Sequence, residues 1–199
     1  NFLKYINKKM KIILGSSSKW RKAMLEKMGY NFRVVTADID EKTIRSNDYY
    51  TLPIKIACAK ADAIMQKIKE PVLLITGDQV VLCNGELREK PKDEHQAREF
   101  LLSYKKYPAE IINAVVITNT KSGKRAQGTN ISKVYFKEIP KKIIDKLIKT
   151  KDILNSAGSF LMEHKLLKPY IEEYNGKEGD SLGLPKKLTE HLILEVREK

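Results

Sequence analysis

Ile12-Ile13-Leu14-Gly15-Ser16-Ser17-Ser18-Lys19-Trp20-Arg21-Lys22-Ala23-Met24-Leu25 is the stretch on which the fold turns. Three consecutive apolar residues ending at a glycine read as a short buried strand. Ser18 then stands where a helix N-cap belongs. The helix it opens runs from Lys19 to about Met28, with Ala23, Met24, Leu25 and Met28 on its apolar side and Gly29 as its stop. A strand feeding a helix through a glycine and three serines gathers hydroxyls and unpaired N–H groups at a helix start. The helix dipole favours an anion there. Arg21, on the first turn, can add a bidentate phosphate contact. A plain serine cap beside surface cations is the alternative, and this segment alone does not choose between them.

Working outward, the period of the apolar residues changes repeatedly, which defines a mixed α/β protein. Asn31 to Thr36 reads as a strand and Asp38 to Tyr50 as a polar loop. Pro53 to about Lys69 reads as a helix, with Ile54, Ala57, Ala61, Ile64, Met65 and Ile68 at helical spacing. Val72 to Cys83 is a strand, Asn84-Gly85 a hairpin turn and Glu86 to Arg88 its return. A helix over Asp93 to Lys105 follows. Glu110 to Thr120 and Thr129 to Lys137 read as antiparallel strands joined around Lys121-Ser122-Gly123. Helices over Pro140 to Lys149 and Pro185 to about Glu198 flank a strand expected over Leu166 to Tyr174. With no internal repeat or long linker, residues 10–199 form one expected domain with two lobes, and residues 1–9 an upstream extension.

The chain has 199 residues, 42% apolar and 32% charged, an ordinary balance for a globular protein. No apolar run approaches a membrane span. Asn1 to Met10 carry neither an apolar signal core nor a small-residue cleavage site. Cys58 and Cys83 stand apart from any metal-type spacing and read as buried thiols, which suits a cytoplasmic setting. The formal charge of +13 draws polyanions: nucleic acid, anionic membranes or nucleotide phosphates. Because the excess is spread along the chain, charge does not choose among the three.

Polar residues inside apolar surroundings narrow the choice. Asp78, in Gly77-Asp78-Gln79-Val80-Val81, interrupts a central strand, where burying a carboxylate is costly. That cost points to a metal ligand, a base or an orienting group, with a structural ion pair as the alternative. Asp38-Ile39-Asp40-Glu41 is an acidic loop in a basic protein, able to hold Mg²⁺ or simply solvated. Lys60 and Lys90-Pro91 offer point charges for phosphate. No P-loop, dinucleotide fingerprint or nucleophile elbow is present. His95, His164 and His191 have no paired nucleophile. Hydrolysis by a metal, an Asp and lysines fits better than a Ser-His-Asp triad.

Together these segments resemble the Maf family of nucleotide pyrophosphatases. The markers are Ile13 to Arg21, Asp38 to Glu41, Ala59-Lys60-Ala61, Thr76 to Val81, Gly85-Glu86 with Lys90-Pro91, Ala157-Gly158-Ser159-Phe160 and Gly183-Leu184-Pro185, running from Lys11 to about Leu192. The resemblance implies an elongated, two-lobed α/β fold like that of the inosine-triphosphate pyrophosphatases, with a twisted mixed sheet, flanking helices and a central cleft. It implies cleavage of a nucleoside triphosphate between the α and β phosphates, with a divalent cation, Mg²⁺ or Mn²⁺. It assigns Asp78 as the proton acceptor and a metal ligand, and Glu41 as an assistant at the metal. Ser16, Ser18, Arg21, Lys60 and Lys90 would hold substrate. A homodimer is a family-level expectation.

Trp20, Gln79 and Glu163 side with the branch of the family that prefers 7-methyl-GTP over dTTP and UTP. An indole face stacks favourably on the cationic 7-methylguanine ring, and a carboxylate accepts charge-assisted bonds from its N1–H and amino groups. A core Trp20 and a surface Glu163 are the alternatives. Lys19, Glu89 and His164 depart from the family pattern, standing for Pro, Gly and Gly. Two other readings stay open: the same reaction on dTTP, UTP or CTP, and a non-catalytic nucleic-acid-binding or cell-division regulatory protein. Against the latter, Asp78 and the Asp38 to Glu41 loop oppose a polyanion unless a cation intervenes, so neither a stable nucleic-acid complex nor a membrane partner is expected.

Overall fold

A computed structural model describes residues 10–197; the expected extension at residues 1–9 lies outside the described residues. In chain order the elements are β1 (Lys11–Leu14), α1 (Lys19–Lys27), β2 (Phe32–Val34), a 3-10 turn (Glu41–Thr43), α2 (Leu52–Met65) and β3 (Val72–Cys83). They continue with β4 (Glu86–Leu87), α3 (Glu94–Ser103), β5 (Ala109–Asn119), β6 (Arg125–Phe136), α4 (Lys141–Lys149), β7 (Ile171–Tyr174) and α5 (Lys186–Val196). The strands form one seven-stranded sheet in the order β2-β1-β3-β5-β6-β7, with β4 paired to β3. The sheet is mixed: β1 runs parallel to β2 and β3, while β4 and β7 are antiparallel to their partners. This is the α/β class, with its mixed sheet and helices, that the changing period predicts. Among the described residues no helix is long and apolar enough to cross a membrane.

The chain divides into two compact units. The first comprises the residues up to Gln79, Asn113–Asn130 and those from Lys177 on; the second comprises Val80–Ile112 and Ile131–Gly176. In the first unit alternate strand residues serve opposite layers. Ile13, Val72, Leu74, Ala114 and Val116 pack on Ala57, Ala61 and Ile64 of α2. Ile12, Leu14, Leu73, Ile75, Val115 and Ile117 pack on Met24 and Leu25 of α1 and on Leu192 and Ile193 of α5. Strands covered on both faces read as continuous apolar runs, which is why Ile12 to Leu14 and Val72 to Ile75 show no alternation. Each such leucine or isoleucine contributes about 1.5–3 kcal/mol by leaving water.

The second unit is built around aromatic rings. Tyr104 meets Phe160 edge-on at 5.5 Å and lies 5.3 Å from Phe136. Phe100, Leu101, Ile111, Ile144 and Leu147 surround them. The Tyr104 hydroxyl donates to the Gly158 carbonyl at 2.7 Å, which satisfies the one polar atom of that ring. The hairpin at Asn84-Gly85 is tight, with both residues at positive φ (51° and 77°), as a primed two-residue turn requires.

The structure corrects three expectations. Helix α2 ends at Met65 rather than near Lys69. The chain leaves the helix through tighter turn hydrogen bonds, Lys67 N donating to the Ile64 carbonyl and Ile68 N to the Met65 carbonyl. The strand expected over Leu166 to Tyr174 is only Ile171–Tyr174, because Lys168–Tyr170 form a 3-10 turn around Pro169. Proline lacks the ladder donor and fixes its own φ. Cys83 is buried, but Cys58 is only half-buried, its thiol donating to Gln127 Oε1 at 3.2 Å.

Gly158 has φ of 68°, and a Cβ there would lie 2.6 Å from the Tyr104 hydroxyl and 2.9 Å from Val81 Cγ1. Gly158→Ala should therefore lower stability by about 2 kcal/mol or more, through left-handed strain and displacement of a packed ring. Urea unfolding of the pure variant measures this, and an unchanged midpoint would contradict the packing described.

Candidate functional site

Two polar groups are built into the first unit, and strand alternation separates them. Thr76 and Asp78 of β3 face α2; Gly77 and Gln79 face α1.

On the α2 side, Lys60 Nζ donates to Asp78 Oδ1 at 2.8 Å and pairs with Glu41 Oε1 at 3.1 Å. Lys60 and Asp78 are both buried, while Glu41 is exposed on its 3-10 turn. That turn is set locally: the Asp40 carboxylate accepts from Lys42 N at 3.1 Å and caps it. Thr76 Oγ1 donates to the Ala57 carbonyl at 2.8 Å, so the register that places Asp78 opposite Lys60 is pinned one helical turn away. Burial pushes the Asp78 carboxyl above the ordinary carboxylate range, and the positive charges of Lys60 and Arg21 pull it partly back. A carboxylate raised in this way is a better proton acceptor near neutrality.

On the α1 side, Ser18 caps the helix by accepting from Arg21 N at 3.3 Å. Ser16 Oγ accepts from Ser18 N at 3.2 Å and from Arg21 Nη1 at 3.1 Å. Arg21 is buried and its Nε donates to the Gly183 carbonyl at 2.9 Å. The guanidinium is thus fixed on two sides by protein, and what it can offer a phosphate comes from the remaining N–H groups. Gly77 is required by the neighbouring strand: a Cβ there would lie 2.8 Å from the Ala114 carbonyl, while Arg21 Nε would be at an ordinary contact distance of 3.7 Å. Gln79 is half-buried and its Nε2 donates to Asn113 Oδ1 at 3.0 Å.

The other predicted residues are placed as follows. Trp20 is half-buried on the first turn of α1, with the Lys19 ammonium 5.0 Å from its ring centroid. Lys90 is exposed and Glu163 half-buried, both in the second unit. Sequence reasoning did not pick out Asn113, Asp180 and the Gly183 carbonyl as members of the polar groups. Asn113 carried a usable signal, being a polar residue inside the apolar run of β5, as Asp78 is in β3. The Gly183 carbonyl gave none, because a backbone atom can be reached from any side chain.

Asp78 and Glu41 bring two hard carboxylate oxygens to one ammonium, so their convergence already serves a positive charge. Among the described residues no group of three or more His, Cys, Asp or Glu converges. Two carboxylates without a full protein cage suit Mg²⁺ or Mn²⁺ completed by water and phosphate oxygens.

A buried carboxylate paired with lysine on one face of β3, and a serine-capped helix start carrying a fixed arginine on the other, have the chemistry expected of a candidate site for an anionic, phosphate-type ligand. Residues 11–196 match the family model described as Maf-like protein, and the chain belongs to the Maf family. A 7-methyl-GTP pyrophosphatase of Dictyostelium discoideum is 44% identical over 192 residues, covering 93% of this chain and 96% of its own. A dTTP/UTP pyrophosphatase of Clostridium botulinum (strain Eklund 17B / Type B) is 31% identical, covering 88% of this chain and 94% of its own. Among solved structures, the Staphylococcus aureus Ham1 protein aligns over 94% of this chain and all (100%) of its own at 12% identity. The TM-score of that alignment is 0.47.

Removing the ammonium isolates the carboxylate. In Lys60→Met the Asp78 carboxyl should titrate higher still, read by carboxyl-carbon NMR. Its folded pKa then exceeds the unfolded value of about 3.9, so the folded state binds the extra proton and stability falls as pH rises. The variant's deficit relative to the parent should therefore be small in acid. It should grow toward about 3–5 kcal/mol once the unpaired carboxylate is forced to ionise.

Proposed function

We propose that this chain is a nucleoside triphosphate pyrophosphatase that cleaves between the α and β phosphates and prefers 7-methyl-GTP or a similar modified nucleotide. The observation that carries the reading is the buried Asp78–Lys60 pair, with Glu41 on the same ammonium and the Arg21 charge near enough to act on Asp78. The relative from Dictyostelium supports the choice of substrate.

In this reading Asp78 takes a proton from water as the water oxygen forms a bond to phosphorus. The bond across the α–β bridge breaks, and the monophosphate and pyrophosphate separate. Lys60 keeps the Asp78 carboxylate in one orientation and, with Arg21, Ser16, Ser18 and Lys90, offsets the negative charge of the phosphates. Because Nε and Nη1 of Arg21 are already engaged, the arginine meets its ligand in a fixed pose and loses little side-chain freedom on binding. Asp78 and Glu41 would hold Mg²⁺ or Mn²⁺, which supplies charge neutralisation at the phosphates when bound. Trp20, Gln79 and Glu163 would select the base, with the indole stacking on the cationic ring. Both cysteines are free, which supports a reducing, cytoplasmic setting.

A substrate panel tests the reading: with Mg²⁺ or Mn²⁺, pyrophosphate release from 7-methyl-GTP should exceed that from dTTP, UTP and GTP. Equal rates on dTTP would overturn the base assignment, and no release from any nucleotide would overturn the reaction. Asp78→Asn should cut kcat by a factor of about 10² or more, since general-base contributions are typically 10²–10⁴-fold. For the parent enzyme, kcat/KM should fall as pH drops through the raised Asp78 pKa of the free protein. The acid limb should therefore lie above the ordinary carboxylate value of about 3.9.

A further inference from the structure

Gln79 projects from β3 onto the α1 side of the sheet, the side on which Arg21 and Gly183 lie. Its amide is held from one edge only. Nε2 donates to Asn113 Oδ1 at 3.0 Å and to the Asp180 carbonyl at 3.4 Å. Among the described residues no hydrogen bond reaches Oε1, and that oxygen is not among the buried polar atoms lacking a partner, so it opens to solvent.

The polarity of this arrangement is dictated from further back. A backbone carbonyl has lone pairs and no proton, so whatever side chain faces the Asp180 carbonyl must donate. Asn113, fully buried in β5, does so through Nδ2 at 2.8 Å. With its nitrogen committed, Asn113 can turn only its oxygen to Gln79, and Gln79 must answer with Nε2. Reversing the Gln79 amide would set its oxygen against two acceptors. Asp180 is itself anchored. Its carboxylate accepts from Lys177 N at 2.7 Å, and from the Asn130 amide nitrogen, turned toward it, at 3.1 and 3.2 Å. A carbonyl fixed in the segment before α5 thus sets the orientation of an amide on β3.

We infer that Asn113 is a positioning residue for base recognition: working from the Asp180 carbonyl, it locks the Gln79 amide with Oε1 outward, so that position 79 offers a hydrogen-bond acceptor and selects bases presenting an N–H or amino donor. This rests on the reading of Gln79 as a base-selecting residue and adds the direction of its hydrogen bond. Guanine and 7-methylguanine carry two adjacent donors, N1–H and the 2-amino group. A freely rotating glutamine would serve a donor or an acceptor alike and discriminate weakly; a locked one rejects an edge that lacks the donor.

Two measurements on the full-length protein test this. The first is hydrogen exchange of the Gln79 side-chain NH₂ in ¹⁵N-labelled protein. It should be slowed at least tenfold relative to a free amide in the parent and return toward the free rate in Asn113→Leu. Free-amide exchange in the parent would overturn the lock, and this arm needs neither catalysis nor a variant that folds.

The second compares kcat/KM for 7-methyl-GTP with that for two analogues, each missing one donor. These are 7-methylinosine triphosphate, without the 2-amino group, and 7-methyl-2-aminopurine riboside triphosphate, without N1–H. The parent should lose about tenfold or more on at least one analogue. Both Gln79→Leu and Asn113→Leu should erase most of that loss. Discrimination surviving in Gln79→Leu overturns the acceptor role; discrimination lost there but intact in Asn113→Leu overturns the role of Asn113. If Asn113→Leu does not fold, Asn113→Ser, which keeps no amide, takes its place. Failure to cleave 7-methyl-GTP at all would instead overturn the reaction proposed above, leaving the exchange result to decide the lock.

Discussion

A carboxylate in the interior of a central strand has to be answered by something, and Lys60 answers Asp78. The pair is worth little as net stabilisation, because two charges must first be taken out of water. Its importance is positional. Once Asp78 is fixed in β3, α2 must present a long cation at that level. The Thr76 to Ala57 bond fixes the register of helix on strand, and the Glu41 loop gains a charge to fold against. Burial tight enough to raise the carboxyl also keeps it from being an ordinary ion-pair member, so one constraint sets the packing of the layer and the chemistry of the strand.

Much of the architecture was legible in the sequence because apolar period and punctuation agree. Ile12 to Gly15 and Val72 to Ile75 could only be doubly covered strands, and Ser18, Pro53 and Pro185 mark helix starts that the structure keeps within a residue or two. What failed were boundaries set by competition. The end of α2 falls where tight turn bonds at Lys67 and Ile68 replace helical ones, and the start of β7 was decided by Pro169, neither of which apolar periodicity registers. The candidate site was legible where a residue looked out of place, as Asp78 did. It was illegible where the partner is a carbonyl, as at Gly183 and Asp180, because every residue carries one.

Adjacent residues on a strand point to opposite faces, and Asp78 and Gln79 make use of it. One step along β3 separates an ionised pair from a network of neutral amides. The first tolerates small movements, since a charge attracts over distance. The second does not, since an amide turned by half a rotation presents the opposite polarity. The two groups are therefore structurally separable: a substitution at position 113 would disturb the Gln79 amide without touching the carboxylate of Asp78.

The bond from Arg21 to the Gly183 carbonyl spans 162 positions of the chain. During synthesis β1, α1 and β3 emerge early with Ser16 as the guanidinium's local partner, yet its second anchor is missing until the segment before α5 has left the ribosome. The two-sided hold on the arginine is therefore completed late, and a chain truncated before Gly183 would keep the Ser16 contact while losing the bond to Nε.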